Sequence, residues 1–191
     1  MDVHYYVVED GKRVYYPGPG KPPIYIQAIF DNCSMPEMNF FFILGECLDW
    51  TKQGDDEQVI KPLVEFLAQY GDRIIFAFDD RMAQLLYELD TEAIAKKSMG
   101  KKGIFSVDGF LYARCAALVN GRGYYNEIRK GKRRLNPDLW FEALLYVPAK
   151  AWALLHGTTV EAYSEAHRTT VSYETYSNRE GWKPASDDCA R

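Results

Sequence analysis

The sequence of 191 residues lacks any long hydrophobic run. Its longest apolar stretches, around 40–44 and 143–147, fall far short of the roughly 20 residues that a membrane-spanning helix needs. The beginning, Met1-Asp2-Val3-His4, carries an acid where a secretory signal would carry positive charge, and no apolar segment follows it. We therefore expect a protein that does not contact a membrane and that lies in the cytoplasm.

Cysteine is scarce and irregularly spaced. The four cysteines, Cys33, Cys47, Cys115 and Cys189, include no CxxC pair, which argues against both a zinc site and a disulfide framework. Free thiols are the expected state.

The sequence also lacks the common signatures of cofactor and metal chemistry. It contains no GxGxxG, no P-loop, no HExxH and no GxSxG. His4, His156 and His167 are far apart, and no two of them have the spacing of four that would place both imidazoles on one metal. We expect no cofactor and no metal, although ligands from distant segments can also converge on a metal.

The composition is that of a globular protein, with 47% hydrophobic and 26% charged residues. The length predicts one globular domain, over residues 1–180, followed by a loose polar tail over 181–191. A net charge of −4 disfavours broad binding to nucleic acid and favours a basic protein partner. One basic cluster, at residues 130–134, could touch phosphate, but such a loop is more often a solubilising connection.

β-like patterns occur at both ends of the sequence. Two β-branched and aromatic runs flank Asp10-Gly11, which predicts a hairpin, and residues 24–30 predict a third strand. Alternation over 169–176 predicts a C-terminal strand. The apolar run over 40–50 has no diagnostic period, so it is compatible with a helix or a buried strand, and we favour the helix.

Helical periodicity dominates the middle of the sequence. Acids from Asp55 and a glycine at Gly71 bound one predicted helix, and Asp72 should cap the next one, which runs towards residue 89. Ser106 should cap a third helix that ends at Asn120-Gly121. Asn136-Pro137 should open the longest helix, which Pro148 bends or divides before Gly157. The predicted fold class is α+β: a mostly helical core with a small antiparallel sheet formed by N-terminal and C-terminal strands.

Clustered acids provide the candidate site residues. Asp80 and Glu88 fall on one helix face, as paired acid and base carboxylates require, although charged helix faces are commonly just solvated. Arg114 stands among apolar positions, where it forms either an ion pair with Asp108, Asp90 or Glu142 or a substrate clamp. The candidate catalytic residues are Glu88, Asp90, Asp108 and Arg114, and the candidate binding residues are Asp55, Asp56, Asp79, Asp80, Glu88 and Asp90.

The segment 105–114, Phe-Ser-Val-Asp-Gly-Phe-Leu-Tyr-Ala-Arg, resembles the mark of an uncharacterised bacterial domain family. That mark is Ser-Asp-Asp-Gly-Phe, then Phe-Arg and a helix that ends in glycine. The resemblance covers about residues 62–137 and departs at Val107, where the second family acid would stand. It implies a helical fold and a bacterial origin, with Ser106, Asp108, Phe110 and Arg114 at a shared structural corner, and it brings no assigned reaction.

Two classes of function are compatible with these observations. The acidic, aromatic-rich composition favours a non-catalytic binding protein, such as a bacterial immunity protein that neutralises a cognate basic toxin. The alternative is a small cytosolic enzyme, hydrolase-like, with a carboxylate-lined cleft, which requires its acids to converge in one pocket.

Overall fold

The computed structural model describes residues 4–9, 12–17, 26, 34–99 and 106–183. Within these residues eight α-helices build the body of the protein: α1 (Glu37–Cys47), α2 (Asp56–Tyr70), α3 (Asp72–Leu89), α4 (Glu92–Met99), α5 (Val107–Val119), α6 (Gly121–Arg129), α7 (Val147–His156) and α8 (Tyr163–Ala166). Three short 3₁₀ turns cover Trp50–Lys52, Glu142–Tyr146 and Val160–Ala162. None of the described helices is both long and apolar enough to span a membrane.

The central element is α3, which packs against α1, α2, α5, α6 and α7. Apolar side chains recur along it at helical spacing, so two sides of the helix are covered. Burial of each large apolar side chain contributes about 1.5–3 kcal/mol. The buried apolar residues of α3 are Ile74, Ile75, Ala77, Phe78, Met82, Ala83, Leu85, Leu86 and Leu89.

One glycine separates α2 from α3. Gly71 has a φ of 82° and a ψ of −178°, a conformation that essentially only glycine adopts. This abrupt turn allows α3 to pack directly against α2. Any side chain at this position would strain the turn even though space is open around it.

The α+β prediction is wrong, because the body of the protein is helical. The hairpin is present: strand His4–Glu9 pairs antiparallel with strand Lys12–Pro17, and the two form a two-stranded sheet of their own. Residues 24–30, expected as a third strand, lie outside the described residues apart from Ile26, which is helical and fully buried.

The predicted C-terminal strand over 169–176 is also wrong, because this segment forms neither helix nor strand. Its backbone N–H groups bind carboxylates of the helical body instead of a neighbouring strand: Thr170 donates to Asp80 and Tyr176 donates to Asp90. Tyr176 has a φ of 75°, which also interrupts an extended chain.

The long helix expected from Asn136 to Gly157 is shorter than predicted. The Asn136 side chain accepts from the backbone N–H of Asp138 (3.0 Å) and forms a local turn, and the α-helix begins only at Val147. Pro148 lies in the first turn of that helix, where its missing N–H costs nothing. Asp72 does not cap α3 but is its first residue, and Gly71 occupies the cap position.

Several local predictions are confirmed. Asp55 caps α2, with its carboxylate accepting from the N–H of Gln58 (3.2 Å), and the ambiguous run over 40–50 contains the end of helix α1. Ser106 caps α5, with its hydroxyl accepting from the N–H of Gly109 (3.1 Å). Cys47 and Cys115 are free thiols, while Cys33 and Cys189 lie outside the described residues.

Candidate functional site

The chain that follows α7 returns to α3 and lies against it. Three carboxylates accept hydrogen bonds from this C-terminal segment, residues 163–183. Asp79 and Asp80 belong to α3, and Asp90 is the residue that ends it. These three acids therefore decide where the C-terminal segment sits.

Asp79 is a buried acid, with 6% of its surface exposed. The Tyr163 hydroxyl donates to its Oδ2 at 2.8 Å. The nearest basic group in the described part of the chain is the His167 imidazole, whose Nε2 lies 4.0 Å from the same oxygen. The ionised carboxylate is thus weakly compensated, because buried carboxylates normally accept several hydrogen bonds or pair with a full positive charge.

The His167 ring lies between α3 and α8. It stacks on the Phe76 ring with centroids 4.5 Å apart and planes 7° from parallel, so its orientation is fixed. Its Nε2 is buried and has no hydrogen-bond partner, although it lies 3.7 Å from Oδ1 of Asp80. That Asp80 oxygen accepts the backbone N–H of Thr170 at 2.8 Å.

A cleft of about 370 Å³ opens beside these groups. Asp79 supplies the wall from α3, and the other lining residues come from the C-terminal segment between Tyr163 and Glu174. Its volume falls within the range of small-molecule sites, about 300–1,000 Å³.

Burial raises the pKa of Asp79 to about 6, although the Tyr163 hydrogen bond and the His167 imidazole act in the opposite direction. The pKa of Tyr163 is raised by burial and next by the Asp79 charge. The same two causes, in the same order, raise the pKa of Tyr173 to about 12. The Asp79 charge therefore acts on both tyrosines of the cleft.

Residues 35–153 match the model of a family described as a protein of unknown function (DUF4240). The chain belongs to this family. No curated protein and no solved structure matches the chain. Asp79 lies inside the family region, whereas the remaining cleft residues, from Tyr163 onwards, lie beyond it.

Two of the predicted catalytic residues, Asp90 and Arg114, meet in the core of the family region. Both side chains are fully buried, and Arg114 Nη2 lies 4.0 Å from Asp90 Oδ1. The guanidinium also donates to the carbonyl of Leu86 (2.8 Å) and to the hydroxyl of Thr175 (3.0 Å). Burial lowers the pKa of Arg114, and the Asp90 charge opposes that change.

Asp90 holds the end of the C-terminal segment. Its two oxygens accept from the backbone N–H groups of Tyr176 (3.2 Å) and Asn178 (3.0 Å) and from the indole N–H of Trp182 (2.8 Å). Trp182 belongs to the segment expected as a loose tail, and residues 184–191 of that segment lie outside the described residues. With three donors and a guanidinium nearby, the Asp90 carboxylate is satisfied by the protein itself, and its role is structural.

Glu88 and Asp108 are not brought to this cluster. Glu88 is exposed and accepts from the Tyr125 hydroxyl (2.8 Å) and from Arg129 Nη1 (2.9 Å), both on α6. Asp108 is exposed in the first turn of α5. The predicted pairing of Asp80 with Glu88 is also absent from these contacts, because each acid binds different partners.

The remaining predicted residues are on the surface. Asp55 and Asp56 are exposed at the start of α2. In the basic cluster over 130–134, Arg133 pairs with Glu127 (2.5 Å). In the part of the chain that the structure describes, no group of three or more His, Cys, Asp or Glu side chains is arranged to hold a metal ion.

Sequence reasoning named Asp79 and Asp80 but missed Tyr163, His167 and Tyr173. One signal was present: Tyr163 and His167 are four residues apart, a spacing that places two side chains on one side of a helical turn. That spacing does not reveal which acid the two rings would meet, because Asp79 is 84 positions away from Tyr163 in the chain.

Proposed function

We propose that the protein binds a small polar molecule in the Asp79 cleft and that Asp79 exchanges a proton with it. The observation that carries this proposal is a buried carboxyl group on the wall of a cleft, with a pKa of about 6. A carboxyl with such a pKa is present in both protonation states near neutral pH, as a general acid or base must be. Perturbed acids in clefts mark functional sites more often than acids elsewhere.

The neighbours of Asp79 are suited to this role. The Tyr163 hydroxyl fixes the orientation of the carboxylate, and the stacked His167 ring provides a second proton carrier 4.0 Å away. Nε2 of His167 is buried without a hydrogen-bond partner, 3.7 Å from Asp80 Oδ1 and 4.0 Å from Asp79 Oδ2, so it is placed to pass a proton to or from these carboxylates. Hydrolysis is one reaction that such a pair could serve, by accepting a proton from an attacking water.

The neutralisation of a basic toxin stays a prediction and receives less support. Of the acids on which it relied, Asp79 and Asp90 are buried and Glu88 pairs with Arg129. Asp55 and Asp56 remain exposed at one helix end. Steering of a basic partner depends on exposed charge, so a small surface of this kind would act weakly.

We also infer that the family mark Ser-Asp-Asp-Gly-Phe corresponds to residues 106–110 of this chain. Its contacts support a structural role: Ser106 caps α5, and Arg114 joins that helix to Thr175 and to Leu86. An alignment of family members would test this, because Ser106 and Arg114 should then vary less than Asp108.

The proposed function is tested by blocking the cleft. Ligand-observed NMR with sets of amines, amino acids, sugars, nucleosides and organic acids would identify the class that binds the folded protein. Ser164 lines the cleft on α8 and is exposed, so Ser164→Trp should fill it and abolish binding. Glu165→Trp changes the adjacent exposed residue, which does not line the cleft, and is the matched control.

Binding that survives Ser164→Trp, or the absence of any bound molecule across all five sets, would contradict the proposal. Recovery of a tightly bound basic protein from the native host would favour the toxin-neutralising prediction instead. Its association rate should then fall with rising salt, and Asp55→Lys with Asp56→Lys should slow association further.

A further inference from the structure

We propose that the molecule bound in the cleft is a small organic cation, with a primary ammonium group in the simplest case, and that its positive charge pairs with Asp79. This inference rests on the proposed function and names its ligand class. Four observations support it: the incomplete compensation of the Asp79 charge, the excess of acids around the cleft, the tyrosines that line the cleft and the volume of the cleft.

The first observation is the incomplete compensation of Asp79. Asp79 has 6% of its surface exposed, yet Tyr163 is the donor that the described residues supply to its carboxylate. Neither a lysine nor an arginine of the described residues lies within ion-pair distance of it. A buried charge without a full partner is costly, and a bound cation provides that partner in an environment where the attraction is strong.

The second observation is the charge balance of the cleft. Asp79 and Glu174 line it, and Asp80 Oδ1 lies 3.7 Å from His167 Nε2. Arg168 is the positive group on the lining, and it is exposed, so water screens its charge more than the charge of buried Asp79. His167 adds a positive charge only when protonated. The titratable and charged groups beside Asp79 or on the lining of the cleft are Asp80, Tyr163, His167, Arg168, Tyr173 and Glu174.

The third and fourth observations concern shape. Tyr163 and Tyr173 line the cleft, and aromatic faces attract cations within about 6 Å of the ring centre. The volume of about 370 Å³ admits a chain of a few carbon atoms. A short alkyl ammonium therefore has a carboxylate for its charge and rings for its methylene groups.

Three probes of equal chain length and different charge test the inference: 1,4-diaminobutane, 1,4-butanediol and succinate. Calorimetric titration of the full-length protein near pH 8 should give binding of the diamine, and the diol and the dianion should bind at least about tenfold more weakly. Asp79→Asn should weaken diamine binding by at least about tenfold, because it removes the charge but keeps the shape. Asp56→Asn removes an exposed acid at the start of α2 that does not line the cleft and should leave the affinity unchanged.

The pH dependence provides a second readout. With a pKa of about 6 for Asp79, about a tenth of the carboxyl is ionised near pH 5, so diamine affinity should fall about tenfold between pH 8 and pH 5. Near pH 6, where about half of the Asp79 carboxyl groups are protonated, binding of the diamine to the ionised form should release about half a proton per molecule bound. This release is measured by repeating the calorimetric titration in buffers of different ionisation enthalpy. Neither effect should remain in Asp79→Asn.

Each outcome decides the inference. Equal or tighter binding of the diol or of succinate would overturn the cationic ligand class and leave the cleft as a binding site for another class. Failure of all three probes would overturn the cationic class as well, whereas the proposed function is decided separately by the broad ligand sets and by Ser164→Trp. If Asp79→Asn did not fold, Glu174→Gln at the exposed rim would replace it, with an expected weakening of about threefold.

Discussion

Asp79→Asn is expected to stabilise the protein near neutral pH. The folded-state pKa of Asp79 is raised from an ordinary 3.8 to about 6, so the folded protein holds a proton that the unfolded chain has already lost. The contribution of Asp79 to stability therefore falls as the pH rises from about 4 to about 6 and stays level above that window. The difference in pKa corresponds to about 3 kcal/mol. Asparagine mimics the protonated carboxyl and accepts the same Tyr163 hydrogen bond.

The assay is urea unfolding of both proteins at intervals from about pH 4 to pH 8. The stability of Asp79→Asn minus that of the parent should be near zero at pH 4 and reach about 1–3 kcal/mol at pH 7. Asp56→Asn, at an exposed position, should give a difference that is small at every pH. The reasoning is refuted if Asp79→Asn is less stable than the parent at pH 7, or if the difference does not depend on pH.

Three further predictions concern the scaffold. Asp90→Ala should destabilise the protein by about 3–5 kcal/mol, because it leaves three donors without their acceptor and buried Arg114 without the opposite charge 4.0 Å away. Limited proteolysis should then cut within residues 172–183. Ser106→Ala should cost about 1 kcal/mol in denaturant unfolding through loss of the cap on α5; unchanged stability with lost binding would assign Ser106 a functional role instead. Alkylation of the denatured, unreduced protein should add four labels by intact mass, one for each free cysteine. In the folded protein near pH 8, Cys47 and Cys115 should react slowly, because burial raises the pKa of both thiols to about 12.

The helices that could be predicted are those whose signals are local. α2 begins beside an acid that caps it and ends beside a glycine whose conformation stops it. α5 has a serine cap and an asparagine at its end. In both, the cap, the period and the terminator lie within 20 residues of one another, so no tertiary information is required.

The C-terminal segment could not be predicted, because long-range contacts decide its conformation. The alternating threonines and tyrosines over 169–176 have high β propensity, which reflects packing on a sheet more than a backbone preference. No described strand lies beside them, and Asp80 and Asp90 bind the backbone N–H groups that a ladder would have used. The failure at Asn136 has a local cause: its side chain accepts from the N–H of Asp138, two residues on, and forms a turn instead of opening a helix.

The candidate site shows the same division between local and long-range information. Asp79 and Asp80 were predicted as binding residues because acids cluster there, but their neighbours in sequence do not indicate which of the two is buried. Burial of Asp79 follows from the packing of Tyr163 over α3, and the cleft itself exists only once residues 163–174 have returned to that helix.

The contrast between Asp79 and Asp90 separates a functional acid from a structural one on physical grounds. Both are buried aspartates, Asp79 within α3 and Asp90 at its end. Asp90 accepts three hydrogen bonds and lies 4.0 Å from Arg114. Asp79 has one hydroxyl donor and an imidazole at 4.0 Å. A carboxylate that the protein satisfies stabilises the fold, whereas one that it leaves underpaired destabilises the fold when ionised. Replacement by asparagine should therefore have opposite signs at pH 7: Asp90→Asn should lower the free energy of unfolding, and Asp79→Asn should raise it. An acid kept at a cost to stability beside an open cleft is the pattern that selection for binding or catalysis produces, and equal signs for the two variants would remove that distinction.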